Sequence, residues 1–237
     1  MELQIEWEVS SAICVGSTAD AHGIGVDKAT ARNADGTLII PGSTLKGRIR
    51  WECERIARAL GWEVCNAPQP GSMCPYFWYG REEQREDRFC VLCEMFGSAG
   101  RGSALWFSDA SLKEDEGLRD ILHGKKLVHE RRSFDAQIRP GVSLSRSRRT
   151  AVSERLFFTE TSVPNSRFHF QATIDGILPS DRHRALLLAG VRFLSQVGGG
   201  RSRGLGWVRI VRCVLDGSDL TESRWKELLQ PLEEATS

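Results

Sequence analysis

Apolar and polar residues alternate along the start of the chain. Leu3, Ile5 and Trp7 alternate with glutamate and glutamine, which is the period of two typical of a strand with one buried face. We therefore predict a first strand over Leu3 to Val15. The following residues, Gly16 to Gly36, are polar, rich in glycine and without a period. They predict a long loop, and loops of this length inside domains often carry function.

A helical period begins after this loop. Pro41 to Ser43 predict a turn and an N-cap, and apolar residues then recur every three or four positions until Gly61. Lys46, Arg48 and Arg50 fall in the first turns of this helix, where basic side chains oppose the helix dipole. A bound anion explains them better than helix stability does. Ordinary surface residues are the alternative.

Strand and helix patterns recur through the rest of the chain. They predict strands over Ala104 to Leu112, Arg167 to Asp175 and Gly206 to Leu215, a helix over Arg182 to Val197, and a short terminal helix over Leu220 to Leu232. This order of elements is the split βαβ plan. The sequence therefore predicts an α+β fold with a ferredoxin-like (RRM-like) βαββαβ core, in which residues 1–237 form a single domain. Residues 62–103 and residues 123–164 are predicted insertions, the second a projecting hairpin rich in arginine and serine.

Composition narrows the class of protein. Apolar residues make up 41% of the 237 residues, which is enough for a sizeable core. No run of about 18 uncharged apolar residues occurs, so we expect a cytoplasmic protein without a membrane partner. The formal net charge of +1 does not by itself indicate nucleic acid. Arginines are nevertheless concentrated between Glu130 and Arg155, which makes a local positive surface possible, with ordinary solvated faces as the alternative.

Four cysteines have the spacing of a metal site. They form the set Cys-x8-Cys-x15-Cys-x2-Cys at Cys65, Cys74, Cys90 and Cys93. The final pair has the usual spacing of structural zinc sites, and four thiolates close a tetrahedral site without an open position for catalysis. The odd total of seven cysteines argues against a disulfide framework. Buried cysteines without a metal remain an alternative, and His22 and His129 are candidate substitute ligands.

A glycine-rich run joins the second predicted helix to the last strand, within Val197 to Gly206. Gly199 and Gly200 would let backbone N–H groups approach a phosphate closely. Arg201 and Arg203 would add charge-assisted, bidentate contacts. A mononucleotide P-loop fits poorly, because that loop joins a strand to a helix and contains a lysine. We therefore interpret the run as a grip for a polyanion, with a structural turn as the alternative.

The predicted loop before the first helix holds the available acid, base and metal-binding groups. These are Asp20, His22, Asp27 and Asp35. A single carboxylate beside an RNA backbone can hold a divalent ion or orient the 2′-hydroxyl for in-line attack. No catalytic pair or triad is visible, so these residues alone do not establish a ribonuclease.

Two motifs together resemble a known family. They are PGSTLKGRIR over Pro41 to Arg50 and GGGRSRGLGWV over Gly198 to Val208. They are similar to motifs of the RAMP superfamily of CRISPR proteins, specifically the backbone subunit of type III effector complexes, which polymerises along guide RNA. The resemblance spans most of the chain, and the cysteine insertion is most similar to the type III-D/III-E branch. It implies an antiviral-defence ribonucleoprotein with guide (CRISPR) RNA, complementary target RNA and other effector subunits, including further backbone copies, as partners.

The resemblance implies RNA contacts at both motifs. Ser43, Lys46 and Arg50 would hold guide phosphates from the first motif. Gly199, Gly200, Arg201 and Arg203 would do so from the second. Residues 123–164 match the thumb of the family, a β-hairpin that wedges between bases of the guide–target duplex. The thumb arginines expected on RNA are Arg132, Arg146, Arg148 and Arg149.

The resemblance also implies a catalytic residue. In catalytic members, an aspartate in the loop before PGSxLKG cleaves target RNA with a divalent metal. Val26-Asp27 lies at nearly that place, so Asp27 is the expected catalytic residue, with Mg²⁺ or Mn²⁺ as its cofactor and Zn²⁺ as a structural ion. The chain departs from the family over Lys28 to Asn33. The alternatives are an RNA-binding structural subunit without catalytic activity and a guide-RNA-processing endoribonuclease.

Overall fold

The computed structural model describes residues 1–17, 26–76, 89–113, 136–163 and 168–233. Its strands are β1 (Glu2–Val9), β2 (Gly16–Ser17), β3 (Ala29–Thr30), β4 (Ile39–Ile40), β5 (Leu105–Phe107), β6 (Ala110–Leu112), β7 (Ala136–Ser145), β8 (Thr150–Ser162), β9 (Phe168–Gly176), β10 (Val208–Leu215) and β11 (Ser218–Asp219). Its helices are α1 (Gly42–Ala59), α2 (Val91–Phe96), α3 (Asp181–Phe193) and α4 (Glu222–Glu233), with a 3₁₀ turn over Arg201–Arg203.

An antiparallel sheet forms the body of the protein. Its strand order is β11-β10-β1-β9-β6-β4, and β5 pairs with β9 beside β6. In the chain, α1 lies between β1 and β5, and α3 lies between β9 and β10. The predicted α+β class is confirmed.

One face of the sheet forms the core. The alternation predicted for β1 is present, because Leu3, Ile5 and Trp7 are all buried. They belong to one hydrophobic cluster with Leu45 of α1 and Leu187 of α3. Helix α1 packs against α3, and α3 packs against α4. The helices therefore supply the second layer that the apolar face of the sheet requires.

The opposite face of the sheet is polar and partly acidic. Glu6 of β1 receives hydrogen bonds from Lys113 Nζ at 2.7 Å and pairs with His169 Nδ1 at 2.8 Å. Glu8 pairs with Arg209. RNA-recognition sheets present aromatic rings at such positions, whereas β1 presents carboxylates. This face is therefore poorly suited to a polyanion.

The N-cap predicted within Pro41 to Ser43 is present, but it is not a side-chain cap. The helix begins at Gly42, its N-cap is Pro41, and no side chain within the motif caps it. Instead, Gly42 N donates to Asp109 Oδ1 at 2.7 Å, from the break between β5 and β6. A side chain at position 42 would overlap the carbonyl oxygen of Phe107, so glycine is required where α1 meets this strand. Ser43 is consequently exposed on the helix.

Several element bounds also differ from the prediction. The first strand ends at Val9 rather than Val15, α3 ends at Phe193, and the strand predicted over Ala104 to Leu112 is divided into β5 and β6. The chain after β1 turns away to hydrogen-bond with the glycine-rich run, so it does not extend the sheet. Among the described residues, no helix is long and apolar enough to cross a membrane.

Candidate nucleic-acid interface and metal centre

The predicted thumb contains a long two-stranded ribbon. Strands β7 and β8 pair antiparallel from Ala136 with Ser162 to Ser145 with Thr150. The turn over residues 146–149 places Arg146, Arg148 and Arg149 at its tip, where all three are exposed. The remaining arginine expected in the thumb, Arg132, lies outside the described residues, as do Asp20, His22 and His129.

The root of this hairpin is paired with the segment that contains Asp27. Asp27 N and Lys28 N donate to Phe158 O at 2.9 and 3.2 Å, and Glu160 N donates to Lys28 O at 2.8 Å. The Asp27 carboxylate accepts a further hydrogen bond, from Phe158 N to Oδ2 at 2.6 Å. Asp27 is exposed. The predicted catalytic residue therefore lies on the surface at the root of the hairpin, with its backbone and one carboxylate oxygen fixed.

A buried ion pair also joins the Asp27 segment to β8. Arg32 Nη2 lies 3.3 Å from Glu160 Oε1, and the two side chains are only 3% and 5% exposed. Arg32 Nη1 also donates to Gly36 O at 2.7 Å, and Thr30 Oγ1 donates to Glu160 O at 3.0 Å. The segment from Asp27 to Arg32 is thus attached to β8 at several points.

The glycine-rich run is closed by tight backbone contacts. Gly199 N donates to Cys14 O at 2.7 Å, so this N–H serves the fold in the present structure. Gly206 has a φ of +77°, and a side chain there would overlap the carbonyl oxygen of Val197. These contacts place the 3₁₀ turn over Arg201–Arg203 at the exposed end of the run.

A basic cleft separates the hairpin from the glycine-rich run. It has a volume of about 400 Å³ and is lined by residues of both, together with Lys28 from the Asp27 segment. Three of its lining residues are cationic: Lys28, Arg139 and Arg203. The Arg203 guanidinium lies 5.9 Å from the centre of the Phe157 ring, which also lines the cleft. Clustered cations and an aromatic surface are the features that bind a nucleic-acid backbone and its bases.

Sequence reasoning missed three residues of this cleft: Lys28, Arg139 and Phe157. Each lies on a different segment from the glycine-rich run, so no spacing in the chain predicts that they meet. The register of β7 with β8 places Arg139 and Phe157 on one side of the ribbon, since their cross-strand partners, Thr159 and Gly141, also line the cleft.

The basic side chains of α1 do not converge on one site. Arg48 Nε donates to Gln196 O at 3.2 Å, which links α1 to the residues just before the glycine-rich run. Burial, followed by the nearby Arg201, lowers the pKa of Arg48 from its ordinary value. Burial and then Arg50 lower the pKa of Lys46. Arg50 Nη2 lies 3.7 Å from Cys93 Sγ, and so it points to the cysteine cluster.

The four predicted cysteine ligands lie together. Cys90 is the N-cap of α2 and Cys93 lies inside that helix, while Cys65 and Cys74 come from the preceding segment. All four Sγ atoms lie within 4.8 Å of one another and all four residues are buried. Zinc bonds of about 2.3 Å in a tetrahedron require sulfur atoms about 3.8 Å apart, and two of the observed separations are 3.5 and 3.7 Å. The cluster can therefore hold a metal ion.

The sulfur atoms of the cluster contact one another, and these contacts shift the pKa values of three of the thiols. Hydrogen bonds from Cys90 and then Cys93 lower the pKa of Cys65 below that of an ordinary thiol. Burial raises the pKa of Cys74 to about 12. Hydrogen bonds with Cys65 and then Cys90 raise the pKa of Cys93. Because metal ligation requires thiolates, a bound cation would release the remaining thiol protons as it binds.

The sequence profile of the RAMP superfamily matches residues 8–209 of the chain. The chain belongs to the RAMP superfamily. The superfamily resemblance noted in the sequence is thereby confirmed, and this RAMP protein is CRISPR-associated, in a family whose members act with RNA and other subunits in ribonucleoproteins. Comparison with curated proteins gave no significant match.

The matched region of this RAMP protein contains the cysteine cluster, the hairpin and the glycine-rich run. Apart from Arg50 and the four cysteines, the expected site residues that the structure describes fall into three groups. Asp27, Gly199, Gly200 and Arg203 lie around or beside the basic cleft, with Arg201 on the same turn as Arg203. Ser43 and Lys46 lie on α1, and the arginines over residues 146–149 lie at the far end of the hairpin.

Proposed function

We propose that this RAMP protein is a guide-RNA-binding backbone subunit of a type III CRISPR ribonucleoprotein, closest to the type III-D/III-E branch. In this role it also cleaves complementary target RNA by metal-dependent endonucleolysis beside Asp27. One observation carries the proposal: the hairpin, the glycine-rich run and the Asp27 segment meet around a single basic cleft. The strand order β10-β1-β9-β6, with α1 and α3 as connections, supports a ferredoxin-like core.

The cleft would bind the phosphates and bases of the RNA. When Lys28, Arg139 and Arg203 neutralise phosphates, counterions are released from the RNA. The affinity for RNA therefore falls as the salt concentration rises. Phe157 offers a stacking surface for a base. Ser43 and Lys46 would extend the contact along α1. The exposed arginines at the hairpin tip would meet the backbone of the duplex, and further copies of the subunit would repeat these contacts along the guide.

Asp27 is proposed as the catalytic residue. Its Oδ2 accepts a hydrogen bond from Phe158 N, and Oδ1 would be the oxygen that binds the metal. A single carboxylate together with substrate phosphates is a usual set of ligands for Mg²⁺, so the site fits one ion shared with RNA. Mg²⁺ or Mn²⁺ would stabilise charge on the scissile phosphate. The fixed backbone of Asp27 would orient the carboxylate for that task.

The cysteine cluster is proposed to hold structural zinc. The four buried sulfur atoms supply a complete tetrahedral set, and such a set leaves no position for a substrate or water. The ion would join α2 to the segment that contains Cys65 and Cys74. Its role would be to stabilise the insertion next to α1, not to take part in RNA cleavage.

The test is cleavage of labelled RNA complementary to the bound guide, with Mg²⁺ and with EDTA. Asp27→Asn is the sharpest variant, because its amide oxygen still accepts the hydrogen bond from Phe158 N while the negative charge is lost. We expect regularly spaced cuts that disappear in EDTA, and that fall by at least about 100-fold in both Asp27→Asn and Asp27→Ala. RNA binding should persist in both variants. Cleavage by Asp27→Asn at the wild-type rate would contradict the catalytic assignment.

The second candidate is an RNA-binding structural subunit without catalytic activity. The hydrogen bond between the Asp27 carboxylate and Phe158 N favours it, because the same contact would be expected of an aspartate that only anchors the hairpin. In that case RNA is bound but never cut, and Asp27→Ala, but not Asp27→Asn, lowers the stability of the hairpin root. Cleavage of a guide precursor that resists EDTA would instead indicate a guide-RNA-processing endoribonuclease.

A further inference from the structure

Arg50 of α1 is turned toward the cysteine cluster. Its Nη2 lies 3.7 Å from Cys93 Sγ, and its Nη1 donates to Gly97 O at 3.0 Å. Cys93 lies inside α2, and Gly97 is the C-cap of the same helix. The planar guanidinium therefore contacts α2 at two points, which fixes its orientation.

The charge of a filled cluster explains why a cation belongs at this position. Four thiolates around one divalent ion carry a net charge of minus two. All four cysteines are buried, so water solvates that charge poorly and a nearby positive group stabilises it. Within the part of the chain that the structure describes, Arg50 is the cationic residue that contacts a sulfur atom of the cluster.

Neighbouring charged groups have other partners. Arg58, two turns further along α1, donates to Cys65 O at 3.2 Å and to Asn66 Oδ1 at 2.9 Å. It contacts a backbone carbonyl and a side-chain amide of the insertion and, within the described residues, no sulfur atom of the cluster. Glu94, next to Cys93, pairs with His183 Nε2 at 2.8 Å. The contact between Arg50 and Cys93 is therefore not a by-product of a carboxylate beside the cluster.

We propose that Arg50 is a positioning residue of a tetrathiolate zinc site: it neutralises part of the thiolate charge and orients Cys93, and so raises the affinity for the metal. This inference rests on the zinc-binding part of the proposed function. It assigns Arg50 to the metal centre, whereas the sequence resemblance assigned it to a guide phosphate. Removal of such an outer partner typically lowers metal affinity by about 10- to 100-fold.

The experiment is a metal titration of the full-length protein after removal of bound metal. Co²⁺ reports the site through the thiolate-to-cobalt charge-transfer band, and displacement by Zn²⁺ in the presence of a competing chelator gives the zinc affinity. We expect Arg50→Met to weaken zinc binding by about 10- to 100-fold. Arg50→Lys, which keeps the charge but not the planar fork, should lose less. Arg58→Met is the matched control, because it removes a contact between α1 and the insertion without touching sulfur, and it should bind zinc nearly as wild type does.

Four outcomes would overturn the inference. The first is a zinc affinity of Arg50→Met equal to that of wild type. The second is an equal loss of zinc affinity in Arg50→Met and Arg58→Met, which would mean that Arg50 only attaches α1 to the insertion. A loss of about one unit from the salt slope of RNA binding in Arg50→Met, with zinc affinity kept, would assign Arg50 to a phosphate. If the wild-type protein gave no charge-transfer band, the zinc site itself would be wrong, while the RNA-binding proposal would stand on its own measurement. Arg50→Lys keeps the test valid if Arg50→Met fails to fold.

Discussion

The buried ion pair between Arg32 and Glu160 offers a direct test of how the Asp27 segment is held. Replacement of Arg32 by methionine keeps the length of the side chain but removes the guanidinium that pairs with the Glu160 carboxylate, which is 5% exposed. Breaking a buried pair from one side typically costs about 3–5 kcal/mol, because an uncompensated charge remains inside. For a chain of this size each kcal/mol lowers the melting temperature by about 2–4 °C. We therefore expect Arg32→Met to melt at least about 6 °C below wild type.

Urea denaturation of matched variants measures this effect. Arg224 and Glu227 provide the control, since their charged atoms lie at the same 3.3 Å separation but both side chains are more than half exposed. Arg224→Met should change the free energy of unfolding by no more than about 0.5 kcal/mol. The double variant Arg32→Met/Glu160→Met removes both charges and should regain part of the lost stability. If Arg32→Met cost less than about 1 kcal/mol, the ion pair would not support the junction as argued.

Three further predictions concern the cleft, the glycine-rich run and the sheet. Arg203→Met should weaken RNA binding and reduce its salt slope by about one unit, measured by fluorescence anisotropy across a salt series; an unchanged slope would exclude a phosphate contact. Gly206→Ala should destabilise the protein more than Gly204→Ala in thermal melts, because both positions have a positive φ but only at 206 would the side chain overlap the Val197 carbonyl oxygen. Burial acts to raise the pKa of Glu6, but hydrogen bonds from its neighbours lower it below the ordinary 4.5. Its stabilising contribution is therefore present above that pH and lost as the pH falls through the lowered pKa, so Glu6→Gln should flatten the decline of stability in acid.

Much of the local structure could be predicted because it depends on neighbours in the chain. The alternation of Leu3, Ile5 and Trp7 reports a strand with one buried face, and that face is buried. The helical period after Pro41 predicts α1, which is present. The cysteine spacing predicts a cluster, and the four sulfur atoms do lie together. These features can be predicted without the tertiary structure, because periodicity and motif spacing are properties of short segments.

Contacts between distant segments could not be predicted in the same way. Asp109, which receives the first N–H of α1, is 67 residues from Gly42, and the pairing of Asp27 with Phe158 spans 131 residues. No local pattern encodes such partners, because the sheet order and the register of β7 with β8 determine which loops meet. The same limit explains why Lys28, absent from the predicted set, lines the basic cleft.

The sequence by itself determined the α+β class, the main strands and helices, the cysteine set and the superfamily to which the chain belongs. Only the tertiary structure decided that the hairpin root, the glycine-rich run and the Asp27 segment surround one cleft. It also decided that Arg50 faces a cysteine sulfur, although its motif alone suggested a phosphate. The physical reason is that helix and strand periods arise from interactions a few residues apart, whereas a binding site is assembled by packing and pairing between segments far apart in the chain.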